Sequence, residues 1–268
     1  MNERQDGEFV FGRNALLVYL ERMLGEEEPP EGMPEVVKVF LADSLDADTR
    51  LGKIEAAAKR LRIPVAVCDR RKIDMMLGRD ARHQGVAGQL SAVKQLDLKD
   101  FLKRFKGDAM DENPCVVLLD GIEDPHNLGA IVRVAEASGA KAVLVPQRRS
   151  AQVSGTVSKV SAGALAFIPI VRIHNLVNAI EDLKKSGFWV VGLDVRGGEE
   201  LFDADLVRPL AICVGAEGKG LSRLVSEHCD FNVKIPMPGK TESLNASVAC
   251  GVVLFEVVRQ KRSKQRQR

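Results

Sequence analysis

The chain has 268 residues, of which 45% are hydrophobic and 28% are charged, and its formal net charge is +2. This length suits one large domain or two modest ones, and the composition is typical of a soluble protein with a real core. No stretch reaches the roughly 18 apolar residues that a membrane helix needs. The N-terminal sequence MNERQDGE lacks the apolar core of a signal peptide. We therefore predict a cytoplasmic protein without a membrane span.

The cysteine and aromatic content excludes several kinds of site. The five cysteines are scattered singly, with no CxxC pair and no metal-type spacing to the four histidines. We interpret all five as structural thiols and predict no metal site. Aromatic residues make up only 4% of the chain, which argues against a base-stacking platform for RNA. Basic stretches at 69–72, 145–150 and the C-terminus suit phosphate contacts, although each alone also suits a solvated surface.

Residues 8–92 carry mixed helix and strand signals and predict a small α/β domain. GRNALLVYLERM and DADTRLGKIEAAAKRLR read as helices, the second with an acidic start and a basic end. VVKVFLA, IPVAVCD and QGVAGQLSA read as strands. The charged stretch 93–113, which holds one short helix and stops before Pro114, predicts an interdomain linker.

Residues 114–260 predict a second domain with a regular alternation of strands and helices. The strands read CVVLLD, KAVLVP, AFIPIV, FWVVGLDV, LAICVGA and FNVKIPM, and the clearest helices begin at NLGAIVRVAEASG, VSGTVSKVSAGA and NLVNAIEDLKKSG. Nearly continuous apolar strands are typical of a parallel sheet that is covered on both faces. Ligands of such sheets bind beyond the carboxyl ends of the strands, so the loops there are the candidate site.

The loop at 121–140 has no GxGxxG fingerprint and instead carries polar residues at the start of a helix. Asn127 is either a helix N-cap or a site residue. Arg133 lies among apolar neighbours that should pack. Its guanidinium either pairs with Glu123 or Glu136, or meets a planar anion.

Two further loops complete the candidate site. GAEGKGLS at 215–222 has three glycines, which allow close approach of a ligand or positive φ angles, but its spacing does not fit a nucleotide-binding P-loop. In the segment 235–260, Ser243 reads as an N-cap, and Leu244 and Asn245 read as the helix start. A plain capping role explains this polar start only in part, because Asn inside a first turn gains little from capping.

The helix that follows Ser247 is apolar around its circumference except at Glu256. Such a helix must be buried on two sides, and the sheet can cover only one of them. The sequence therefore predicts a homodimer in which a partner subunit covers this C-terminal helix.

The three loops, in this order, resemble the three motifs of the SpoU (TrmH-type) branch of the SPOUT RNA methyltransferases. The match rests on DPHNLGAIVRVAEASGA, VGAEGKGLS and IPMPGKTESLNASVACGVVLFEVVR, together with SKVSAGALAFIPI. FGRNALLVYL and ARHQGVAGQL resemble the ribosomal-protein-like substrate-binding domain of some members. The combination is most similar to the RlmB-like group, which methylates a guanosine ribose in 23S rRNA.

The resemblance implies an α/β fold: a parallel-sheet SPOUT domain with a deep trefoil knot and a small N-terminal α/β substrate-binding domain. It also implies an obligate dimer through the last helix and S-adenosyl-L-methionine as cofactor. By resemblance, the cofactor-binding residues are Gly215, Ile235, Leu244, Ala246, Pro238 and Gly239. The catalytic residues are Arg133, Asn127, Glu217, Ser243 and Asn245. A basic, disordered tail at 261–268 completes the predicted organisation.

The implied reaction moves an already activated methyl group, so it needs no metal and no covalent nucleophile. The protein must supply alignment and help in removing the hydroxyl proton. Neutralising an arginine, whose pKa lies far above neutral pH, would cost roughly 9 kcal/mol at pH 7. We therefore interpret Arg133 as a charged group that grips a phosphate and stabilises the developing alkoxide, while the phosphate or water takes the proton.

Other assignments share much of this pattern. A methyltransferase of the same fold acting on tRNA is the first alternative, and methylation of rRNA for resistance uses the same chemistry. A non-catalytic RNA-binding ribosome-assembly factor is the alternative of another class, and it predicts damaged motifs, whereas all three are intact.

Overall fold

The computed structural model describes residues 9–25, 33–45, 48–78, 81–91, 96–105, 107, 110, 112–153, 155–196 and 198–266. The chain divides into two compact units. Unit 1 consists of residues 1–94 and 153–167, and unit 2 consists of residues 95–152 and 168–268.

Unit 1 is a small mixed α/β structure. Its elements are β1 (Phe9–Phe11), α1 (Arg13–Leu24), β2 (Val36–Ala42), α2 (Thr49–Arg60), β3 (Val65–Cys68), α3 (Arg70–Leu77) and β4 (Val86–Leu90). The strands form a sheet in the order β1-β4-β2-β3, in which β2 and β3 are parallel and the β1–β4 and β2–β4 pairs are antiparallel. Phe9, Phe11, Phe40 and Ile73 pack in the core beneath the sheet.

Unit 1 also contains a segment from much later in the chain. The short helix α6 (Gly155–Val160) packs against β1, and a 3-10 turn (Ala164–Ala166) follows it. A Cβ at Gly163 would lie 2.8 Å from a methyl group of Val18, so the backbone there contacts α1 closely. Unit 1 is therefore built from two separate stretches of sequence.

Unit 2 is built on a parallel sheet, as the sequence predicts. Its strands are β5 (Cys115–Asp120), β6 (Val143–Pro146), β7 (Ile170–Ile173), β8 (Trp189–Leu193), β9 (Glu199–Glu200), β10 (Leu210–Gly215) and β11 (Phe231–Lys234). They lie in the order β7-β6-β5-β10-β8-β11-β9, and every pair is parallel. Its helices are α4 (Leu98–Leu102), α5 (Pro125–Ala137), α7 (Leu176–Lys185), α8 (Arg223–His228) and α9 (Ala246–Gln265).

The strand order changes direction between β5 and β10. From β5 the chain continues to β6 and β7 on one side, whereas β8, β11 and β9 lie on the other side of β10. The carboxyl ends of the two strands at such a switch point form a crevice in which parallel sheets bind their ligands. Unit 2 therefore has its candidate site at the ends of β5 and β10.

The segment predicted as a linker, 93–113, differs in the structure. Leu96 bridges to Val171, and α4 buries Leu98, Phe101 and Leu102 in the core of unit 2. Phe101 and Phe105 make an edge-to-face ring contact with centroids 5.0 Å apart. Helix α4 has only five residues, which is too few to show a periodic apolar pattern, so the sequence did not reveal that this charged stretch contributes to a core.

The C-terminal boundary also differs from the prediction. Helix α9 continues to Gln265, so most of the predicted tail 261–268 is helical. Lys261 lies on this helix, and its ammonium donates a hydrogen bond to the carbonyl of Asn113. Among the described residues, no helix combines the length and apolarity that a membrane span requires.

Candidate active site

Two loops of the site start side by side because β5 and β10 are paired in register. Gly215, the last residue of β10, is aligned with Asp120, the last residue of β5. The Asp120 carboxylate accepts a hydrogen bond of 2.7 Å from the backbone N–H of Ser222. The end of the 215–222 loop is thereby attached to the neighbouring strand.

The 215–222 loop folds back tightly on the end of its own strand. A Cβ at Gly215 would lie 2.1 Å from the carbonyl carbon of Gly220, which no side chain tolerates. Gly218 and Gly220 have φ angles of +75° and +65°, the left-handed region that favours glycine. Gly215 is therefore required by the return of the loop itself, whereas the sequence argument had ascribed it to close passage of a ligand.

A pocket of about 310 Å³ opens beside this loop. Its apolar wall comes from the ends of β8 and β10, from the segment after β11 and from the start of α9. The lining residues include Leu193, Val195, Val214, Ile235, Met237, Leu244, Ala246 and Ala249. Arg196, Glu217, Lys219, Glu242 and Ser243 line its polar part.

Most of the predicted cofactor residues line this pocket. Gly215, Ile235, Leu244 and Ala246 are among the lining residues. Pro238 and Gly239 are exposed and are not among them, and no atom lies within 4 Å of a Cβ built at Gly239. An apolar wall with a polar rim suits a nucleoside that carries a charged amino-acid tail. The residues present therefore fit S-adenosylmethionine, with Pro238 and Gly239 outside the wall.

Three of the predicted catalytic residues form a hydrogen-bonded cluster at this pocket. The side-chain N–H₂ of Asn245 donates to Asn127 Oδ1 at 2.9 Å and to Glu217 Oε2 at 3.0 Å. These residues come from the start of α5, the 215–222 loop and the start of α9, and Asn245 and Asn127 are 118 positions apart. The fold thus assembles the cluster at the carboxyl edge of the sheet.

The amide orientation of Asn245 is fixed by its other contacts. Asn245 is the N-cap of α9, and its Oδ1 accepts hydrogen bonds from the backbone N–H and the hydroxyl of Ser247, at 2.9 and 2.6 Å. Only Nδ2 then remains to face Asn127 and Glu217. The predicted caps were wrong in detail: α9 is capped by Asn245, with Ser243 before it, and α5 is capped by Asp124, with Asn127 in its first turn.

Arg133 lies apart from this cluster. It is on α5, six residues after Asn127, which is about 9 Å along the helix and about 120° around it. Its side chain is exposed, although its neighbours Ile131 and Val132 are buried. The apolar neighbours therefore pack as predicted without enclosing the guanidinium, and its contact with a planar anion stays a prediction. Ser243 is also exposed and lines the pocket.

Sequence reasoning missed Asp120, Asp194 and Arg196. Arg196 is held by Asp194, with contacts of 2.7 and 2.9 Å, and it lines the pocket. The available signal was positional, since Asp120 and Asp194 each directly follow an apolar strand run at the functional edge of the sheet.

All five cysteines have free thiols, and three of them, Cys115, Cys213 and Cys250, are buried. In the parts of the chain that the structure describes, no group of three or more His, Cys, Asp or Glu side chains is placed to hold a metal ion. Burial raises the pKa of the Cys115 thiol to about 11 and also raises the pKa of Cys250. A thiol whose pKa is raised in this way is unsuited to act as a nucleophile.

Comparison with known proteins identifies two family models in the chain. Residues 114–255 match the model described as the SpoU rRNA Methylase family. Residues 9–96 match the model described as RNA 2′-O ribose methyltransferase substrate binding. Together they cover the greater part of both units.

Relatives of similar length support the same assignment. The chain is 42% identical over 234 residues to the 23S rRNA (guanosine-2′-O-)-methyltransferase RlmB of Pseudomonas putida, covering 86% of this chain and 92% of the relative. It is 38% identical over 257 residues to YacO of Bacillus subtilis, which is named as a TrmH family tRNA/rRNA methyltransferase, covering 96% and 97%. The crystal structure of the SpoU methyltransferase AviRb from Streptomyces viridochromogenes with AdoMet superposes with a TM-score of 0.77 at 25% identity, covering 98% of this chain and 95% of that chain.

Proposed function

This chain belongs to the SpoU rRNA methylase family, and we propose that its substrate is a guanosine ribose of 23S rRNA. The chemistry is that of the family: the protein is an RNA 2′-O-ribose methyltransferase that uses S-adenosylmethionine. The choice of 23S rRNA is supported by the Pseudomonas putida relative, whose match spans 92% of its length and thus includes both units.

The Asn127–Glu217–Asn245 cluster is the observation on which the proposed active site depends. When bound, S-adenosylmethionine supplies a methyl group that is already activated on a sulfonium. The Asn245 amide has no freedom left, because Ser247, Asn127 and Glu217 engage both of its ends. It therefore holds the other two side chains in a fixed geometry at the rim of the pocket.

Asn127 is the member of the cluster that faces substrate in this proposal. Its Oδ1 accepts from Asn245, so its own N–H₂ group is left to donate. Donors that are aimed at an oxygen on which negative charge develops stabilise the transition state of such a transfer. We assign Asn127 to orient the ribose oxygen, and Glu217 and Asn245 to orient Asn127. Ser243, at the exposed rim, is assigned to the ribose or its phosphate.

Arg133 is assigned to a phosphate of the substrate. Its side chain is exposed on α5, and an exposed arginine on a helix suits an electrostatic contact with RNA. Arg133→Lys keeps a charge but loses the planar, bidentate geometry, so we expect partial activity in this variant and a stronger loss in Arg133→Ala.

In this proposal the protein acts as a homodimer, and α9 forms the interface. One side of α9 packs along α5, and a Cβ at Gly251 would lie 3.3 Å from Val134. Beside this contact Val248 and Phe255 remain 52% and 50% exposed, while Glu256 is buried. A helix that turns its carboxylate inward and its phenyl ring outward has an outer face suited to a second copy of itself.

The experiment that tests the function is methyl transfer from radiolabelled S-adenosylmethionine to unmodified 23S rRNA and, separately, to unmodified tRNA. We expect alkali-resistant label on 23S rRNA, because a 2′-O-methylated nucleotide resists alkaline cleavage. Arg133→Ala should lose most of the label. Arg223→Ala, which removes an exposed arginine paired with Glu227 on α8, should keep it.

The two substrates separate the possible outcomes. Label on tRNA alone would retain the chemistry and overturn the assignment to 23S rRNA. Label on both RNAs at ribose positions would overturn the proposed selectivity. If neither naked RNA is labelled, the same assay is run with ribosomal precursor particles. Absence of label on those particles as well would contradict the proposed substrate.

A further inference from the structure

One peptide group at the edge of the pocket is held from both sides by charged side chains. The carbonyl of Leu221 accepts a hydrogen bond of 2.8 Å from Nη2 of Arg196. The N–H of Ser222, the other half of the same peptide group, donates to Asp120 at 2.7 Å. Arg196 follows β8 and Asp120 is the last residue of β5, so the two anchors come from the strands on either side of β10. The plane of the Leu221–Ser222 peptide is thereby fixed.

The guanidinium of Arg196 is itself fixed by Asp194. Its Nε and Nη2 donate to the two carboxylate oxygens at 2.9 and 2.7 Å, and the backbone N–H of Arg196 also donates to Oδ1 at 2.9 Å. Asp194 is only 5% exposed, whereas the Arg196 side chain is 57% exposed. The hydrogen bond from Arg196 is the largest cause that lowers the pKa of Asp194, so this carboxylate is charged at neutral pH.

Asp194 is held in turn by the elements behind it. Its backbone N–H donates to Val233 on β11 at 3.0 Å. The Ser226 hydroxyl on α8 lies 3.5 Å from Asp194 Oδ2, and Asn232 donates to that hydroxyl at 3.2 Å. The Asp194–Arg196 pair is therefore supported by β8, α8 and β11, and the Arg196 guanidinium reaches from there to the loop.

The position of the fixed peptide matters for the whole loop. Gly215 packs directly against Gly220 and the N atom of Leu221, where a Cβ would lie within 2.1 to 2.4 Å. A rotation of the Leu221–Ser222 peptide would therefore push the loop off the end of β10. The same loop carries Glu217, which contacts Asn245, and it lines the pocket together with Arg196.

We propose that Arg196, paired with Asp194, is a positioning residue that holds the Leu221–Ser222 peptide and so sets the shape of the cofactor pocket. The inference rests on the proposed function, in that this pocket takes the cofactor. Arginine suits the role because one planar group must reach both oxygens of a carboxylate and a carbonyl at once. A lysine, with a single point charge, cannot reproduce this arrangement.

The test is binding of S-adenosylhomocysteine by calorimetry, with the full-length protein and the Arg196→Ala, Arg196→Lys and Arg223→Ala variants. We expect the Kd to rise about tenfold in Arg196→Ala, the order expected for losing one hydrogen bond to a charged group. The Kd of Arg196→Lys should lie between those of Arg196→Ala and the wild type. The Kd of Arg223→Ala should match that of the wild type. In methyl transfer, KM for S-adenosylmethionine should rise with Kd, while KM for RNA stays unchanged.

A double variant tests whether the two anchors act on one peptide. Asp120→Ala removes the other anchor and should weaken binding by a similar factor. The Asp120→Ala/Arg196→Ala protein should then bind about as weakly as either single variant, because the peptide is already released. Multiplication of the two factors to about a hundredfold would show that they act independently and would overturn the shared-peptide role.

The outcomes separate this inference from the proposed function. No binding of S-adenosylhomocysteine by the wild type would remove the assignment of the pocket. If the wild type binds and Arg196→Ala binds with the same Kd, the assignment of the pocket stands and the positioning role of Arg196 is overturned. An equal rise in KM for RNA and cofactor would point to a general disturbance of the fold and would also overturn it.

Discussion

At the scale of single residues, Asn245 combines a structural and a functional task. Its Oδ1 caps α9 through the N–H of Ser247, and its Nδ2 holds Asn127 and Glu217. Loss of an N-cap costs about 1 kcal/mol. Capping needs only an oxygen, whereas the cluster needs a donor, so the two tasks can be separated by substitution.

We predict that Asn245→Asp keeps the helix cap and loses activity. Aspartate caps helices as well as asparagine does, but it cannot donate to Asn127, and its charge faces the Glu217 carboxylate. The rate of methyl transfer at saturating substrates should fall by up to about 10²-fold, because Asn127 is no longer held and one transition-state donor is misplaced. Thermal unfolding and the transfer assay measure the two effects.

Asn245→Ala serves as the comparison for this prediction. It loses both tasks, so its melting temperature should drop by about 2–4 °C for the loss of about 1 kcal/mol. A melting temperature for Asn245→Asp near that of the wild type, with activity as low as in Asn245→Ala, is the expected pattern. An Asn245→Asp enzyme with nearly full activity would show that the donor is not needed.

The predicted site residues illustrate what sequence can supply at this scale. The motif pattern indicated Asn127, Glu217 and Asn245, but the hydrogen bonds among them depend on how distant loops meet at one sheet edge. Apolar neighbours surround Arg133 in the sequence, yet a helix turns successive residues about 100° apart, and the Arg133 side chain is exposed. Their roles in catalysis stay predictions until the variants are measured.

At the scale of secondary structure, the 215–222 loop depends on its first glycine. We predict that Gly215→Ala raises the Kd for S-adenosylhomocysteine at least about tenfold, because a Cβ 2.1 Å from the Gly220 carbonyl carbon must displace backbone that lines the pocket. Calorimetric titration measures this. Loop displacement should also lower the melting temperature, since β10 ends at the same residue.

Gly239→Ala is the matched control for the loop. No atom lies within 4 Å of a Cβ at Gly239, and its φ angle is not in the left-handed region, so the substitution meets no steric obstacle. We expect wild-type affinity. Equal losses in the two variants would instead place Gly239 in the cofactor wall, as the family resemblance implies, and would mean that the wall forms only on binding.

The sequence predicted the long elements well and the short ones poorly. The six apolar strands β5, β6, β7, β8, β10 and β11 are all present, since a run of buried β-branched residues is a strong signal. The two-residue β9, the three-residue β1 and the helices α3 and α8 were missed, because each is too short to show a period. Periodicity also carries no information on strand order, so the β5–β10 switch point became visible only in the structure.

At the scale of the whole molecule, the division of the chain does not follow one cut in the sequence. The two family models match 9–96 and 114–255, and α4, between them, belongs to the core of unit 2. Residues 153–167 fall within the second model but pack in unit 1. Sequence composition marked 93–113 as charged and missed its buried leucines. The deep trefoil knot and the cytoplasmic location remain predictions.

The dimer is a further prediction at this scale, and it starts from the exposed face of α9. Val248, Val252 and Phe255 recur at the helical spacing that places them on one side, and the buried residues Cys250, Leu254 and Val257 lie on another. Full burial of a side chain such as valine or phenylalanine contributes about 1.5–3 kcal/mol. In a twofold dimer each residue of the interface is used twice, so a single substitution acts at two places.

We predict that Phe255→Glu converts a dimer to a monomer, because it places a charge on this apolar face in both copies. Sedimentation velocity should show a dimer for the wild type and a species of about half the mass for the variant, with an unchanged far-ultraviolet spectrum. Leu224→Glu, a similar change at a residue 61% exposed on α8, should remain dimeric. A monomeric wild type, or a Phe255→Glu protein that is still dimeric, would show that α9 is not the interface. Loss of methyl transfer in the monomer would further indicate that the active site is complete only when the second copy is present.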